Sequence, residues 1–161
     1  MLRTLDLGLL RLARTRGHAP AIERGVLAFT RSGEHGSLWL AGSALGAALD
    51  PPRRPLYTRA IRIVSIGYLI NIAIKYVVRR PRPILEGLPA LSSTVTSLSY
   101  PSAHATTSFA AARVLSRGLP TAPLYACAGA MALSRVYVGV HYPSDIAAGA
   151  ALGTSLAEML P

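Results

Sequence analysis

Cysteine, lysine and acidic side chains are scarce in this chain of 161 residues. The one cysteine, Cys127, lies in an apolar segment, which excludes both a disulfide framework and a thiolate metal site. Seven acidic side chains oppose seventeen basic ones, which gives a formal net charge of +10. All but one of the basic residues are arginines, and the exception, Lys75, lies near the end of a long apolar run. A lone lysine at that position indicates a specific role.

The positive charge is combined with a high apolar content. Apolar residues make up 51% of the chain, and the mean hydropathy is +0.38. This combination is typical of a membrane protein with basic loops. The arginines stand between uncharged apolar stretches, and the sequence has no basic helix face with interleaved aromatic residues of the kind that binds nucleic acid. We therefore expect membrane lipids, and no nucleic acid, among the partners of this protein.

The first 33 residues are expected to form interfacial helices. Arginines interrupt the apolar core that a cleaved secretion signal would need. The leucines in the first fourteen residues recur at helical spacing with the arginines off their line, which predicts a basic amphipathic helix at the membrane surface. These leucines are Leu2, Leu5, Leu9 and Leu12. A second segment, residues 20–31, is too short and too charged to span a bilayer.

The remainder predicts an all-α fold, a multi-span integral membrane helix bundle over residues 36–160. Five apolar stretches are expected to span the cell membrane: residues 36–50, 56–78, 104–117, 121–139 and 143–160. Glycines at small-xxx-small spacing predict close helix contacts: Gly42, Gly46, Gly129, Gly149 and Gly153. Because no linker or internal repeat divides the sequence, residues 1–161 are expected to form one domain. The oligomeric state is left open, and so is the membrane face that carries the site.

Three polar motifs lie at the ends of these stretches. They are Lys75 with Arg82-Pro83, Pro101-Ser102-Ala103-His104, and Ser134-Arg135 followed by His141 and Asp145. Spans joined by short connections alternate in direction, so all these ends are expected on one membrane face. A charge at the bilayer centre costs roughly 2.5–3.5 kcal/mol. A shared anion site at that face would therefore account for the clustered cations.

The cations and the helix start suit phosphate binding. Lys75 and Arg82 are about two helical turns apart and could point to one side, and Arg135 could make bidentate contacts to phosphate oxygens. Ser102 stands at an N-cap position, so the first amides of the next helix would face an anion. Taken singly, these residues also fit a snorkelling lysine, membrane-flanking arginines and an ordinary helix cap.

Two histidines could carry chemistry. His141 and Asp145 are four residues apart around Pro143, which favours a helix start. A carboxylate bonded to one ring nitrogen leaves the other nitrogen available as a base, metal ligand or nucleophile. His104, on the first turn of the preceding predicted helix, could donate a proton to a leaving oxygen. A structural role for a lone histidine or aspartate is the alternative.

Together these motifs resemble the three-part signature of the type 2 phosphatidic acid phosphatase (PAP2) superfamily. The resemblance implies a membrane phosphatase that acts on a lipid-linked phosphate and requires no metal or cofactor. It implies that His141 attacks phosphorus to form a phosphohistidine, Asp145 orients His141, and His104 protonates the departing oxygen. The phosphate-binding groups would be Lys75, Arg82, Ser102 and Arg135 with the amides of Ala103 and His104. The superfamily usually has glycine where this chain has Ala103, and its common core has six spans.

A narrower resemblance connects three stretches to the actinobacterial branch of decaprenylphosphoryl-5-phosphoribose phosphatases. These stretches are Phe29 to His35, Tyr100 to Ser108, and Met131 to Arg135. The branch supplies the arabinose donor for cell-wall assembly, so this resemblance implies hydrolysis of decaprenylphosphoryl-5-phosphoribose to decaprenylphosphoryl ribose. Glu34 and His35 could then contact the sugar, with a polar span boundary as the alternative.

Other functions are compatible with the same motifs. Within the phosphatases, the substrate could instead be undecaprenyl pyrophosphate, phosphatidylglycerophosphate or phosphatidate. A lipid-phosphate-binding scaffold would need only the cations and amides, so the presence of both histidines and Asp145 favours an enzyme. Vanadate-dependent haloperoxidases share the site chemistry but are soluble. Residues 84–99 are interpreted either as a flexible lid or as a solvated loop.

Overall fold

The computed structural model describes residues 2–161, without the side chain of Leu2. Seven α-helices make up this part of the chain: α1 (Leu2–Thr15), α2 (Pro20–Ser32), α3 (Ser37–Leu49), α4 (Arg54–Val78), α5 (Ala103–Leu115), α6 (Thr121–Tyr137) and α7 (Pro143–Met159). Two single 3₁₀ turns, Glu34–Gly36 and Pro51–Arg53, precede α3 and α4. Because residues 2–161 contain no β-strand, the predicted all-α fold is confirmed.

Local sequence explains where the helices that carry the motifs begin and end. α4 ends at Val78, because the next residue, Arg79, adopts a left-handed conformation (φ 52°) and donates its amide to the Lys75 carbonyl, and Pro81 then prevents further helix. α5 begins after Ser102, whose hydroxyl accepts the amide of Ala105 at 3.5 Å. α7 begins at Pro143, the favoured residue for a first helical position. Helices α3 to α7 thus coincide with the five predicted apolar stretches.

α5 is the central helix of the bundle. Ten of its thirteen residues are buried, and it packs against α4, α6 and α7. The contact with α7 is close because Gly149 and Gly153 face the α5 backbone. A Cβ at Gly153 would overlap the Thr106 carbonyl oxygen and lie 2.9 Å from the Ala110 nitrogen.

The other predicted glycine contacts differ from one another. A Cβ at Gly46 would meet the ring of Tyr57, so this glycine permits close packing of α3 on α4. Gly42 and Gly129 have no heavy atom within 4 Å of the Cβ position. The prediction of close contacts is therefore wrong for these two. Spacing alone identifies small residues, but it does not tell which side of a helix faces a neighbour.

One helix among the described residues is long and apolar enough to cross a membrane. It is the 28-residue stretch Pro51–Val78, which joins a 3₁₀ turn to α4. α3 and α5 have thirteen residues each, which corresponds to about 20 Å, whereas a hydrocarbon core is about 30 Å thick. Large apolar side chains are nevertheless exposed on four of the bundle helices. They include Leu45, Leu49, Leu69, Val77, Leu133 and Met159.

α1 has an exposed apolar face and a second face that packs on the bundle. Leu5, Leu9 and Leu12 are 46–57% exposed, as an interfacial helix would require. The opposite side, however, buries Leu10 and Arg14. Arg14 belongs to the predicted exposed basic face, and that expectation is wrong because its guanidinium donates to the carbonyls of Pro89 and Tyr137, at 2.8 and 3.3 Å.

The long connection between α4 and α5 folds back on the bundle. The amide of Arg82 donates to the Ser97 carbonyl at 3.1 Å, and the amide of Ser99 donates to the Arg80 carbonyl at 2.8 Å. Leu91 is tied to the end of α6 through a 2.9 Å bond from its amide to the Val138 carbonyl. Residues 84–99 are therefore held by several backbone hydrogen bonds and do not form a fully solvated loop.

The packing of α7 on α5 can be tested with Gly153→Ala. The added methyl group has to push two backbones apart, and overpacking of this kind typically costs about 1–3 kcal/mol. We expect a lower melting temperature of the detergent-solubilised protein, followed by circular dichroism. Gly129→Ala is the matched control, because the space around Gly129 is open and alanine is the better helix former. Equal melting temperatures for the two variants would contradict the close contact.

Candidate active site

A cavity of about 450 Å³ lies where α4 ends and α5 begins. Six of the predicted site residues line it: Lys75, Arg82, Ala103, His104, Arg135 and His141. The remaining two, Ser102 and Asp145, are fully buried behind this lining. Motifs that are up to 70 residues apart (75 to 145) are thus brought together at one end of the bundle.

His141 and Asp145 form a buried pair. The His141 Nδ1 and Asp145 Oδ2 atoms are 3.3 Å apart, and the same carboxylate oxygen accepts the Tyr142 amide at 3.0 Å. A carboxylate can only accept, so Nδ1 carries the hydrogen and Nε2 keeps its lone pair. The Arg82 Nη1 atom lies 3.2 Å from Nε2. The unprotonated nitrogen of His141 therefore lies next to Arg82.

The surroundings of His141 disfavour its protonated form. Burial lowers the pKa of His141 well below its usual value, and the positive charge of Arg82 acts in the same direction. Burial also lowers the pKa of Arg82, to about 10, so its guanidinium still carries a charge at neutral pH. An unprotonated His141 next to a charged arginine is the state required for attack on an anionic phosphate.

Lys75 holds the loop before α5. Its Nζ atom donates to the carbonyls of Pro101 and Ser99 at 2.7 and 3.1 Å, and it lies 3.5 Å from the Leu98 carbonyl. The side chain is buried and also lines the cavity. Lys75 thus has a structural role in addition to the predicted phosphate contact, because it fixes the segment that ends in Ser102.

The first two residues of α5 line the cavity. Ala103 and His104 line the cavity on the first turn of this helix, where amides lack helical partners and attract anions. Ser102 is predicted to contact phosphate, but the structure places its side chain behind the lining, as the helix cap.

Thr30 of α2 connects two of the predicted residues. The Thr30 carbonyl accepts the His104 Nε2 hydrogen at 3.0 Å, so Nδ1 is the ring nitrogen available to exchange a proton. The Thr30 hydroxyl oxygen accepts from Arg135 Nη1 at 2.8 Å and from the Ser134 hydroxyl at 2.9 Å. Arg135 is buried, and its Nε atom has no hydrogen-bond partner within residues 2–161. Thr30 therefore orients one histidine and one arginine of the cavity.

Sequence reasoning misses two residues of this site. Thr30 lies in the stretch that carries the narrower resemblance, but a threonine on an amphipathic helix gives no signal of its own. Arg80 donates to Asp145 Oδ1 at 2.8 Å, yet in the sequence it is one of several arginines between Val78 and Pro83. Across residues 2–161, no group of three or more histidine, cysteine or acidic side chains could hold a metal ion.

Comparison with protein-family models decides the membership suggested by these motifs. The model of the PAP2 superfamily matches residues 56–160, which include every residue of the three motifs. The chain belongs to the PAP2 superfamily.

Curated relatives and solved structures agree with this membership. The decaprenylphosphoryl-5-phosphoribose phosphatase of Mycobacterium tuberculosis is 40% identical over 142 residues, covering 84% of this chain and 79% of that protein. The enzyme of the same name from Mycolicibacterium smegmatis is 37% identical over 132 residues, covering 81% and 72%. The crystal structure of Aquifex aeolicus LpxE superposes with a TM-score of 0.83 at 25% identity, covering 96% of this chain and 93% of that one.

A second solved structure has the same fold at lower identity. It is the PAP2-type phosphatidylglycerolphosphate phosphatase from Bacillus subtilis, with a TM-score of 0.75 and 21% identity, covering 98% of this chain and 83% of that one. The predicted PAP2 resemblance is therefore confirmed both by sequence and by fold.

Thr30→Val tests whether this side chain orients the site. The change keeps the shape and the backbone carbonyl but removes the hydroxyl that accepts from Arg135. Hydrogen bonds to charged groups contribute about 1.5–3 kcal/mol, so we expect kcat/KM for phosphate release from a lipid phosphate to fall by about tenfold or more. Thr58→Val removes an exposed hydroxyl that bonds only to its own helix and serves as control. Equal kcat/KM values for the two variants would contradict this role of Thr30.

Proposed function

We propose that this protein is an integral membrane phosphatase that hydrolyses the 5-phosphate of decaprenylphosphoryl-5-phosphoribose and leaves decaprenylphosphoryl ribose. The convergence of His141 and His104 with three cations in one cavity supports phosphomonoester hydrolysis. The 40% identity to the mycobacterial enzyme over most of both chains supports this particular substrate.

In the first step, His141 Nε2 attacks the phosphorus atom. The nitrogen lone pair forms the N–P bond while the bond from phosphorus to the sugar oxygen breaks, and His104 Nδ1 gives a proton to that oxygen. Asp145 stabilises the positive charge that develops on the His141 ring, because its carboxylate lies 3.3 Å from Nδ1. Entry of the anionic phosphate next to His104 favours the protonated imidazole that this step requires.

Positive charge and backbone amides hold the phosphoryl oxygens during the transfer. Lys75, Arg82 and Arg135 line the cavity together with the first residues of α5, and in this mechanism the cations and the α5 amides bind the phosphoryl oxygens. Phosphoryl transfer depends mainly on positioning and on charge stabilisation of this kind. Ser102 contributes by capping α5 and thereby fixing the direction of the amides of Ala103 and His104.

In the second step, water cleaves the phosphohistidine. His104, now neutral, takes a proton from the attacking water as the O–P bond forms, and the N–P electrons return to Nε2. Inorganic phosphate leaves, and both histidines regain their starting protonation states. The chain's own residues thus supply the nucleophile, the acid and the base.

The rim of the cavity supports recognition of a sugar. Glu34, His35 and Tyr68 line the cavity beyond the phosphate-binding residues. His35 adopts a left-handed backbone conformation (φ 54°), which is uncommon for a non-glycine residue, and its Nδ1 atom lies 2.6 Å from the Tyr68 hydroxyl. We propose that these groups bind the ribose hydroxyls next to the departing oxygen.

The arrangement in the membrane is part of the same proposal. We propose that α3 to α7 form five spans of a multi-pass protein in the cell membrane, with α1 and α2 at the interface. The exposed apolar side chains on α3, α4, α6 and α7 support contact with lipid. The central helix α5 is buried by its neighbours, so its short length exposes few backbone groups to hydrocarbon.

Substrate comparison tests the specific assignment. Purified protein is given decaprenylphosphoryl-5-phosphoribose, undecaprenyl pyrophosphate, phosphatidylglycerophosphate and phosphatidate in separate assays, and phosphate release is measured. We expect kcat/KM for the phosphoribosyl lipid to exceed the others by at least about tenfold, because only that substrate can use the sugar-binding rim. Equal or faster release from another lipid would overturn the assignment but leave the phosphatase class intact.

His141→Ala tests the nucleophile. Loss of Nε2 prevents the phosphoenzyme from forming, so turnover of every substrate should fall by at least about a thousandfold. Acid-labile phosphate bound to the protein, measured after rapid quenching with alkali, should disappear as well. His18→Ala is the control, because His18 stacks on Tyr137 outside the cavity. Substantial turnover by the His141 variant would exclude this histidine as the nucleophile.

A further inference from the structure

Asp6 of α1 is far from the three motifs in the sequence, but it is buried next to the motif that contains Asp145. Asp6 is 2% exposed, and both oxygens of its carboxylate accept hydrogen bonds. Oδ1 accepts the Ser144 amide at 2.9 Å, while Oδ2 accepts the Ser144 hydroxyl at 2.5 Å and Arg80 Nη2 at 2.7 Å. Burial raises the pKa of Asp6, but hydrogen bonds from Ser144 and Arg80 outweigh it and hold this pKa below the usual value. Asp6 is therefore a carboxylate at neutral pH.

Arg80 connects Asp6 to the partner of the nucleophile. Its Nη1 atom donates to Asp145 Oδ1 at 2.8 Å and to the Ser144 hydroxyl at 2.7 Å. The guanidinium also stacks on the ring of Tyr142, 4.0 Å from the ring centre. Because the fork of donors is planar and rigid, this arrangement fixes the distance between the two carboxylates.

The interactions form a continuous line from the N-terminal helix to the reacting histidine. It runs from Asp6 through Arg80 and Asp145 to His141 Nδ1. We propose that Asp6 is a positioning residue for catalysis, which holds Arg80 so that Asp145 keeps the geometry and negative charge that His141 needs. This inference rests on the proposed phosphatase activity, with His141 as nucleophile.

The charges explain why a second carboxylate is useful. Arg80 alone would neutralise Asp145, and a neutralised pair stabilises a developing imidazolium poorly. With Asp6 present, one guanidinium is shared between two carboxylates, and the group keeps one net negative charge. That charge lies next to His141, where positive charge develops as the N–P bond forms.

Asp6 also stabilises the start of α7. Ser144 is the second residue of α7, so its amide has no helical partner. The Asp6 carboxylate accepts this amide at 2.9 Å, and negative charge is favourable at a helix N-terminus. α1 therefore adds a second cap to the helix that begins two residues after His141, whose own Asp145 accepts the Tyr142 amide at 3.0 Å.

The row Asp6, Leu10 and Arg14 docks α1 across the segment that carries His141. Asp6 contacts the first turn of α7, and Arg14 donates to the carbonyl of Tyr137 at the end of α6. Leu10 lies between them and is fully buried. The two helix ends that flank His141 are thus joined by one helix from outside the superfamily match, which begins at residue 56.

Asp6→Asn tests this inference, because the change keeps the shape but removes the charge. We expect kcat to fall about tenfold to a hundredfold, the range for lost hydrogen bonds to charged groups. KM should change less than twofold, because Asp6 does not line the cavity. The assay uses whichever lipid phosphate the unmodified protein hydrolyses fastest, with quench-flow measurement of phosphoenzyme formation. Asp6→Glu, which restores the charge, should recover part of kcat.

Asp50→Asn is the matched control. Asp50 also accepts from an arginine, Arg53, and from Tyr57, but it lies at the opposite end of α4. A wild-type kcat for Asp6→Asn would overturn the inference. So would a fall that disappears when activity is corrected for the folded fraction, measured by circular dichroism at the assay temperature. If the unmodified protein released no phosphate from any lipid, the proposed function itself would fail instead.

Discussion

Positive charge concentrated at a buried end of a helical bundle is the constraint on which the rest of this structure depends. Lys75, Arg82 and Arg135 lie close to each other in a cavity, and like charges in a medium of low dielectric constant repel strongly. Backbone carbonyls and the Thr30 hydroxyl accept hydrogen bonds from some of their N–H groups. In the proposed function, a dianionic phosphate would accept from the remaining N–H groups and at the same time compensate the positive charge of the cavity.

The polar groups around the cavity are positioned by the ends of helices and not by side chains along one helix face. α4 ends near Lys75, α5 starts at Ala103, α6 ends near Arg135 and α7 starts just after His141. Helix N-termini supply amides, and the segments between helices supply carbonyls for the cations. The close contact of α7 with α5 through Gly149 and Gly153 then fixes the spacing of these ends. Packing in the apolar core therefore sets the geometry of a polar site at its edge.

Much of this arrangement could be predicted from the sequence. Prolines, glycines and the capping Ser102 marked the helix boundaries, and alternating span direction placed the three motifs together. Contacts between distant segments could not be predicted in this way. Arg14 reads as part of the polar side of an amphipathic helix and Asp6 gives no signal of its own, because periodicity separates polar from apolar faces but does not show that a polar face is buried. Thr30 and Arg80 were missed for a related reason, since their importance lies in partners more than 60 residues away in the sequence.

The two sides of α1 have different surroundings. Its leucines face outward, whereas Asp6 on the other side reaches the network behind His141. The force that holds the helix in place therefore comes partly from whatever covers Leu5, Leu9 and Leu12. For a helix at a bilayer surface, that covering is lipid. With α1 at the interface and His141 as nucleophile, as proposed above, lipid packing and detergent choice would affect the alignment of the nucleophile, and the bilayer would contribute to catalysis as well as containing the substrate.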